Sequence, residues 1–240
     1  MFQIRLEGIG MPTFVLVPGA WLGGWAWKKV TPLLEEKGHG ACAVTLTGMG
    51  ERVHLASKEF GIETAIQDVL NVIEYNDLND LVLVGHSFAG KVAAAVADRA
   101  PARMKIVLFL DAIRPMKVKT PQGGSNEWQP TLDGWKIPFT EEILGSIGKD
   151  VLGADREWML SKTTPWPMKY QVDPVILSED LDSVKKAYIF CTGGGDNVEE
   201  ILKEELDGPA KVIESGHWPM ITKPKELVEI MLLLARSPVR

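Results

Sequence analysis

Short unbroken apolar runs, each followed by a turn and a stretch with helical spacing, recur along this chain of 240 residues. Thr13-Phe-Val-Leu-Val17 is one such run and stops at Pro18-Gly19. Ala41 to Leu46 is the next, after a glycine- and tryptophan-rich turn (Ala20 to Trp27) and a helix expected to last through about Lys37. Runs without polar alternation suit strands buried on both faces, as in a parallel sheet. Ile62, Ile66, Val69, Leu70 and Ile73 then fall on one face of a helix expected from about Ile62 to Tyr75. A run at Leu81 to Val84, an alanine-rich helix at Lys91 to Asp98 and a run at Ile106 to Leu110, ending in Asp111, complete a βαβαβαβ pattern. That order implies a parallel sheet with right-handed crossovers and helices on both faces. Residues 2 to 6 add a short expected edge strand.

The alternation stops from Ala112 to about Lys186, a stretch rich in Pro, Gly and Trp with helical patterns near Thr140 to Gly145 and Asp155 to Lys162. A structureless loop of that length is foreign to a compact domain, so residues 112–186 are expected to form an inserted cap on a main domain made of 1–111 and 187–240. Regular order resumes with a strand at Ala187 to Cys191, the loop Thr192-Gly-Gly-Gly-Asp196, and a helix from Asn197 to Leu206. A strand at Ala210 to Glu214, the loop Ser215-Gly-His-Trp-Pro219 and a helix from Lys225 to Ala235 close the chain.

Composition narrows the picture without changing it. A hydrophobic share of 45% with 24% charged residues suits one globular core. A net charge of −6 with scattered Lys and Arg argues against a nucleic-acid partner. The N-terminus lacks the basic-then-apolar plan of a signal peptide and no apolar stretch reaches the length of a membrane span, so a cytoplasmic protein without membrane attachment is expected. Cys42 and Cys191 fall in expected strands as small buried hydrophobes, without the spacing of a metal site or redox pair.

The chemistry gathers at Gly85-His-Ser-Phe-Ala-Gly90. A serine at a tight turn between a buried strand and a helix is expected to be a nucleophile elbow, which holds the hydroxyl exposed in a strained conformation, with a serine N-capping an ordinary βα helix as the alternative. The pattern calls for glycine two residues after the serine; here that position is Ala89, with Gly90 following. A serine needs a base. Of the four histidines, His86 is expected to point away from its neighbour's hydroxyl, His39 to lie solvated in a helix-ending turn, and His54 to sit in a loop. His217, after the last strand, is the expected base. An acid must orient it. Asp196 is preferred, because it sits in the loop one βα unit before His217 and three glycines let that loop bend toward it; Asp111, directly after the strand next to the elbow, is the other candidate. The oxyanion donors are expected to be the amides of Phe88 and Ala20.

Pro18-Gly-Ala-Trp21, the Gly-Gly-Trp-x-Trp helix start, Leu46-Thr-Gly-Met-Gly-Glu-Arg52, the Gly-His-Ser elbow and Gly-His-Trp-Pro-Met together resemble the α/β-hydrolase superfamily. Within it the chain is most similar to the branch of small bacterial esterases, plant methyl-ester hydrolases and hydroxynitrile lyases. The resemblance implies an α/β-hydrolase fold and a Ser-His-Asp acyl-enzyme mechanism, with no metal or organic cofactor. The lyases of that branch usually carry threonine in the oxyanion turn and lysine after the histidine, where this chain has Gly19 and Trp218. The missing lysine removes the charge that would stabilise a departing cyanide. A cofactor-free oxygenase or lyase, or a non-catalytic binding protein, stays open on the same scaffold. Cap aromatics, among them Trp128, Trp135, Trp158 and Trp166, suggest an apolar cleft. A hydrophobic small-molecule ester is the expected partner, with Gly19, Trp21, Trp128 and Trp218 as substrate-binding residues; a homodimer stays open.

Overall fold

A computed structural model describes residues 11–113, 132–178, 180–195 and 197–236. Strands β1 (Phe14–Val17), β2 (Ala41–Ala43), β3 (Leu81–His86), β4 (Met104–Leu110), β7 (Lys186–Gly193) and β8 (Ala210–Gly216) form a six-stranded sheet in the order β2-β1-β3-β4-β7-β8. Every neighbouring pair is parallel. The unbroken apolar runs are explained by burial on both faces: Phe14 to Val17, Leu81 to Val84 and Val107 to Leu110 are all at or near zero exposure. Each fully buried Val, Leu or Phe of this kind contributes on the order of 1.5–3 kcal/mol.

Helices cover both faces. Between β1 and β2 lies α1 (Thr31–Glu35); α2 (Ile62–Tyr75) precedes β3 and α3 (Ala89–Arg99) follows it. The expected helix through Lys37 is split into a 3₁₀ turn at Gly24–Trp27 and α1, because Pro32 in the first turn has no N–H to continue an earlier helix. The α2 boundaries match the periodicity, with Ile62, Ala65, Ile66, Val69 and Ile73 buried. Strand β2 is shorter than expected: Val44 still donates to Leu16 O, but Thr45 turns aside to accept the Gly24 amide on its hydroxyl.

Between β4 and its sheet neighbour β7 the chain leaves the sheet. It forms an antiparallel ribbon of β5 (Lys136–Ile137) and β6 (Trp166–Pro167), with helices α4 (Glu141–Ile147), α5 (Gly153–Lys162) and α6 (Lys169–Val172). This segment is tied to the turns that follow β1 and β2. Trp21 Nε1–H donates to Ile137 O at 3.0 Å, the Thr164 amide to Trp21 O at 3.0 Å, and the Tyr170 hydroxyl to Thr47 O at 2.6 Å. The buried Lys91 of α3 donates to the carbonyls of Gln171 and Asp173 where α6 ends.

After β7 come α7 (Val198–Ile201), β8, α8 (Pro219–Thr222) and α9 (Pro224–Arg236). The helix expected to reach Leu206 stops at Ile201: Val198 and Ile201 pack half-buried against the core, but residues 202–205 beyond them are exposed and gain little from packing. The chain runs from β1 outward to β2 and then returns to the other side of β1 for β3, so the order reverses between β1 and β3. At such a switch point the loops leaving the carboxyl ends of the strands diverge and leave a crevice. Among the described residues no helix is long and apolar enough to cross a membrane. The strand expected at residues 2–6 lies outside the described residues.

Candidate active site

The site is built from the loops that follow β1, β3, β4 and β8. Ser87 directly follows β3 with φ of +59°, a conformation that costs an L-residue about 1–2 kcal/mol. The turn is held from three sides: the Ser87 amide donates to Leu110 O at 3.1 Å, and Ser87 O accepts from Gly90 at 3.0 Å and Ile113 at 3.1 Å. Gly85 allows the close approach of helix to strand, because a Cβ there would lie 2.6 Å from Ala89 O. Ala89 fits without exposure. Gly90 cannot be replaced either, since its missing side chain makes room for the carbonyl of Ile113.

His217 follows β8, and its Nε2 lies 2.9 Å from Ser87 Oγ. Its Nδ1 lies 2.6 Å from Asp111 Oδ2. A carboxylate only accepts, so Nδ1 carries the hydrogen and Nε2 offers its lone pair to the serine hydroxyl. Asp111 is fixed in turn: its Oδ1 accepts the Cys191 amide at 3.0 Å, its own amide donates to Ile189 O at 2.7 Å, and its side chain is 3% exposed. The carboxylate against His217 is therefore that of the second candidate. Asp196, the first choice, lies outside the described residues. The glycines that favoured Asp196 have another use here. A Cβ on Gly194 would fall on the Asp111 carboxylate, so its absence lets the β7 loop pass over that acid.

Register explains the Asp111 position. His86 pairs with Leu110 across β3 and β4, so Ser87 and Asp111 leave the two adjacent strands side by side. Asp111, Ser87 and Trp21 all have positive φ, at +41°, +59° and +64°. The turns after β1, β3 and β4 thus each hold a non-glycine residue in a strained conformation, and strain of this kind collects at functional sites.

The first-strand turn abuts the elbow. A Cβ on Gly19 would lie 2.9 Å from Ser87 Cβ and 2.6 Å from His86 Nδ1, so only glycine fits there. Ala20 follows in a turn closed by the Leu22 amide donating to Gly19 O at 3.4 Å. Phe88 is the residue before α3, where helix amides have no intrahelical acceptor. Ala20 and Phe88 therefore flank Ser87 from neighbouring strand ends.

Aromatic side chains line this region from both parts of the chain. The Trp21 ring meets Phe139 at 5.5 Å and Trp166 at 5.6 Å, Phe88 meets Trp166 at 5.0 Å, and Phe139 meets Trp218 at 5.9 Å. Trp21 and Trp218 are 4% and 1% exposed. Trp218 packs behind His217, at 5.5 Å between rings, and against the end of α4. Trp128 lies outside the described residues.

One histidine differs from expectation, and another has a partner that the sequence did not show. His39 is buried, with Nδ1 3.0 Å from Pro12 O and its ring edge-on to Phe14, because its turn feeds directly into the β1–β2 pairing. His86 points away from the Ser87 hydroxyl yet reaches the His217 loop, donating Nε2–H to His217 O at 2.7 Å with the two rings 4.6 Å apart. Burial, reinforced by neighbouring His217, holds His86 well below the ordinary histidine range, the carbonyl bond opposing. His54 is exposed. Among the described residues no three His, Cys, Asp or Glu side chains converge as metal ligands do.

Comparison with known proteins agrees with this fold. Residues 14–230 match the alpha/beta hydrolase family. The carbendazim hydrolyzing esterase of Nocardioides sp. is 31% identical over 248 residues, covering 93% of this chain and all of that protein. Methylesterase 9 of Arabidopsis thaliana is 27% identical, covering 94% of this chain and 98% of its own length. Among solved structures, polyneuridine aldehyde esterase superposes with a TM-score of 0.77 at 24% identity, covering 94% of this chain and 98% of that one.

Proposed function

Since this chain belongs to the alpha/beta hydrolase family, we propose that it is a serine carboxylesterase acting on a hydrophobic small-molecule ester, with Ser87, His217 and Asp111 as its catalytic residues. The observation that carries this reading is the unbroken hydrogen-bond chain from Ser87 Oγ through His217 to Asp111, at 2.9 and 2.6 Å. The relatives named above are esterases by name, and the aromatic surroundings favour an uncharged, apolar substrate.

Ser87 Oγ attacks the ester carbonyl carbon while His217 Nε2 takes the hydroxyl proton, and Asp111 stabilises the imidazolium that forms. The oxygen of the tetrahedral intermediate becomes anionic and is met by the amides of Ala20 and Phe88, which need no reorganisation as charge develops. Collapse breaks the bond to the alkoxy group, which leaves as alcohol with the proton from Nε2. A water molecule then attacks the acyl-serine, gives its proton to Nε2, and the carboxylic acid is released with Ser87 restored.

The test is intact-mass spectrometry after incubation with a fluorophosphonate, with turnover of short-chain p-nitrophenyl esters followed on the same samples. One adduct on the wild type, absent together with turnover in Ser87→Ala, is the expected result. A wild type with neither adduct nor turnover would overturn the reading and move it to a cofactor-free reaction or to ligand binding.

A further inference from the structure

The bonds to Ser87 and Asp111 restrain only the His217 ring. Its backbone leaves β8 at the far edge of the sheet and enters α8 two residues later, so something must fix the loop on which the ring depends. His86 holds the His217 carbonyl; the rest of the grip comes from the last residue of α4 and those just after it, in the segment inserted between β4 and β7. The His217 amide donates to Ile147 O at 2.8 Å. One oxygen of Asp150, Oδ2, accepts from the Gly216 amide at 2.9 Å, the Ser215 hydroxyl at 3.1 Å and the Thr222 hydroxyl at 2.9 Å.

Two glycines make this contact close. A Cβ on Gly216 would fall on the Asp150 carboxylate, so Asp150 occupies the space that a side chain at 216 would need. A Cβ on Gly148 would run into the Trp218 indole, so residues 147–150 lie flat along 216–218. The other carboxylate oxygen, Oδ1, is buried without a hydrogen-bond partner among the described residues. A buried acceptor left unmatched costs free energy, so stability alone gives no reason for a carboxylate here rather than a smaller neutral group. What the carboxylate does supply is one acceptor that joins Ser215 and Gly216, before the histidine, to Thr222, after it.

We propose that Asp150 is a positioning residue for His217, setting the length and path of the 215–222 loop so that the imidazole spans Ser87 and Asp111. The proposal rests on the esterase reading above. It makes the catalytic base depend on the inserted segment: a shift of α4 pulls Ile147 O and Asp150 together and moves His217 with them. Asp150 touches no reacting atom, so its removal lowers kcat and leaves KM nearly unchanged. Misplacing a base by about 1 Å costs on the order of 100-fold in rate.

The experiment compares Asp150→Ala, Asp150→Asn and Thr222→Val with wild type. It measures kcat and KM for a p-nitrophenyl ester, the rate of fluorophosphonate adduct formation, the urea midpoint, and the far-downfield proton resonance of the His217 Nδ1–H to Asp111 bond. Asp150→Ala is expected to lose about 10- to 100-fold in kcat and in phosphonylation rate at constant KM, with the downfield proton broadened or lost. Asp150→Asn keeps an acceptor oxygen and is expected to recover most of the rate, and Thr222→Val, which removes one donor, to fall between. Should Asp150→Ala misfold, the other two variants carry the test. Wild-type kcat and an intact downfield proton in Asp150→Ala would overturn the proposal, as would a rate loss that follows only the folded fraction. A wild type without turnover whose downfield proton is nonetheless lost in Asp150→Ala would overturn the esterase reading and leave the positioning of His217 by Asp150 standing.

Discussion

Asp111 Oδ2 lies 2.6 Å from His217 Nδ1, while its other oxygen takes the Cys191 amide at 3.0 Å. One carboxylate thus fixes the tautomer of the base and is itself locked to the neighbouring strand. Asp111→Asn presents an N–H or a weaker acceptor to Nδ1 and favours the wrong tautomer, so kcat for a p-nitrophenyl ester is expected to fall by about 10⁴-fold with little change in fold. Asp196→Asn is expected to retain near wild-type kcat. The opposite pattern in steady-state kinetics would return the role of acid to Asp196.

Gly194 offers a subtler test of the same acid. Its Cβ would occupy the place of the Asp111 carboxylate, so Gly194→Ala is expected to push that group aside and lower kcat by on the order of 10- to 100-fold. Gly145 in α4 has open space where a Cβ would go. Gly145→Ala should leave kcat unchanged and raise stability by about 0.5–1 kcal/mol through helix propensity. Kinetics and urea melts on the pair separate a loss at the site from a general response to an added methyl group.

His86 carries a pH signature. Buried in the fold, it stays neutral well below the ordinary histidine range, whereas in the unfolded chain it takes up a proton near about pH 6.5. Between those values the unfolded state binds more protons, so its contribution to stability is present above about pH 6.5 and is lost as pH falls, at up to about 1.4 kcal/mol per pH unit. His86→Gln does not titrate. Its urea midpoint is expected to fall less steeply than that of wild type from about pH 7 to pH 5; identical slopes would show that His86 does not drive the acid loss.

Trp21 Nε1–H donates to Ile137 O across the junction between the main sheet and the inserted segment, in a buried setting. Trp21→Phe keeps an aromatic ring but leaves that carbonyl without its donor, at a cost of about 1–3 kcal/mol in unfolding free energy. Urea denaturation measures this directly, and a midpoint equal to wild type would mean that the junction does not depend on this bond.

The periodicity of the chain specified much of the scaffold. Unbroken apolar runs mark β1, β3, β4 and β7 because these strands are buried on both faces, and i, i+3, i+4 spacing marks α2 to the residue. The misjudged helices were one that Pro32 splits and one whose far half is exposed. Helix α7 looked longer because charged residues permit a helix without requiring it, and only packing would have extended it.

Within the site, Ser87 and His217 were legible because each sits in a local signature, a strand-turn-helix or a loop after the last strand, that needs no knowledge of strand order. His86 and Asp150 were not, since each acts on the backbone of the His217 loop from 131 and 66 residues away. A buried histidine beside the nucleophile and an aspartate after a short helix carry no local sign of such a partner.

The sequence by itself therefore determined the parallel α/β order, the strained serine at an elbow and the histidine that could serve it, because these follow from local periodicity and turn chemistry. The tertiary structure alone decided which carboxylate stands against that histidine. The ladder that pairs His86 with Leu110 sends Ser87 and Asp111 out of adjacent strands side by side, and Gly194 clears the space above. Strand order and register set those distances, and both arise from long-range packing that no stretch of sequence contains.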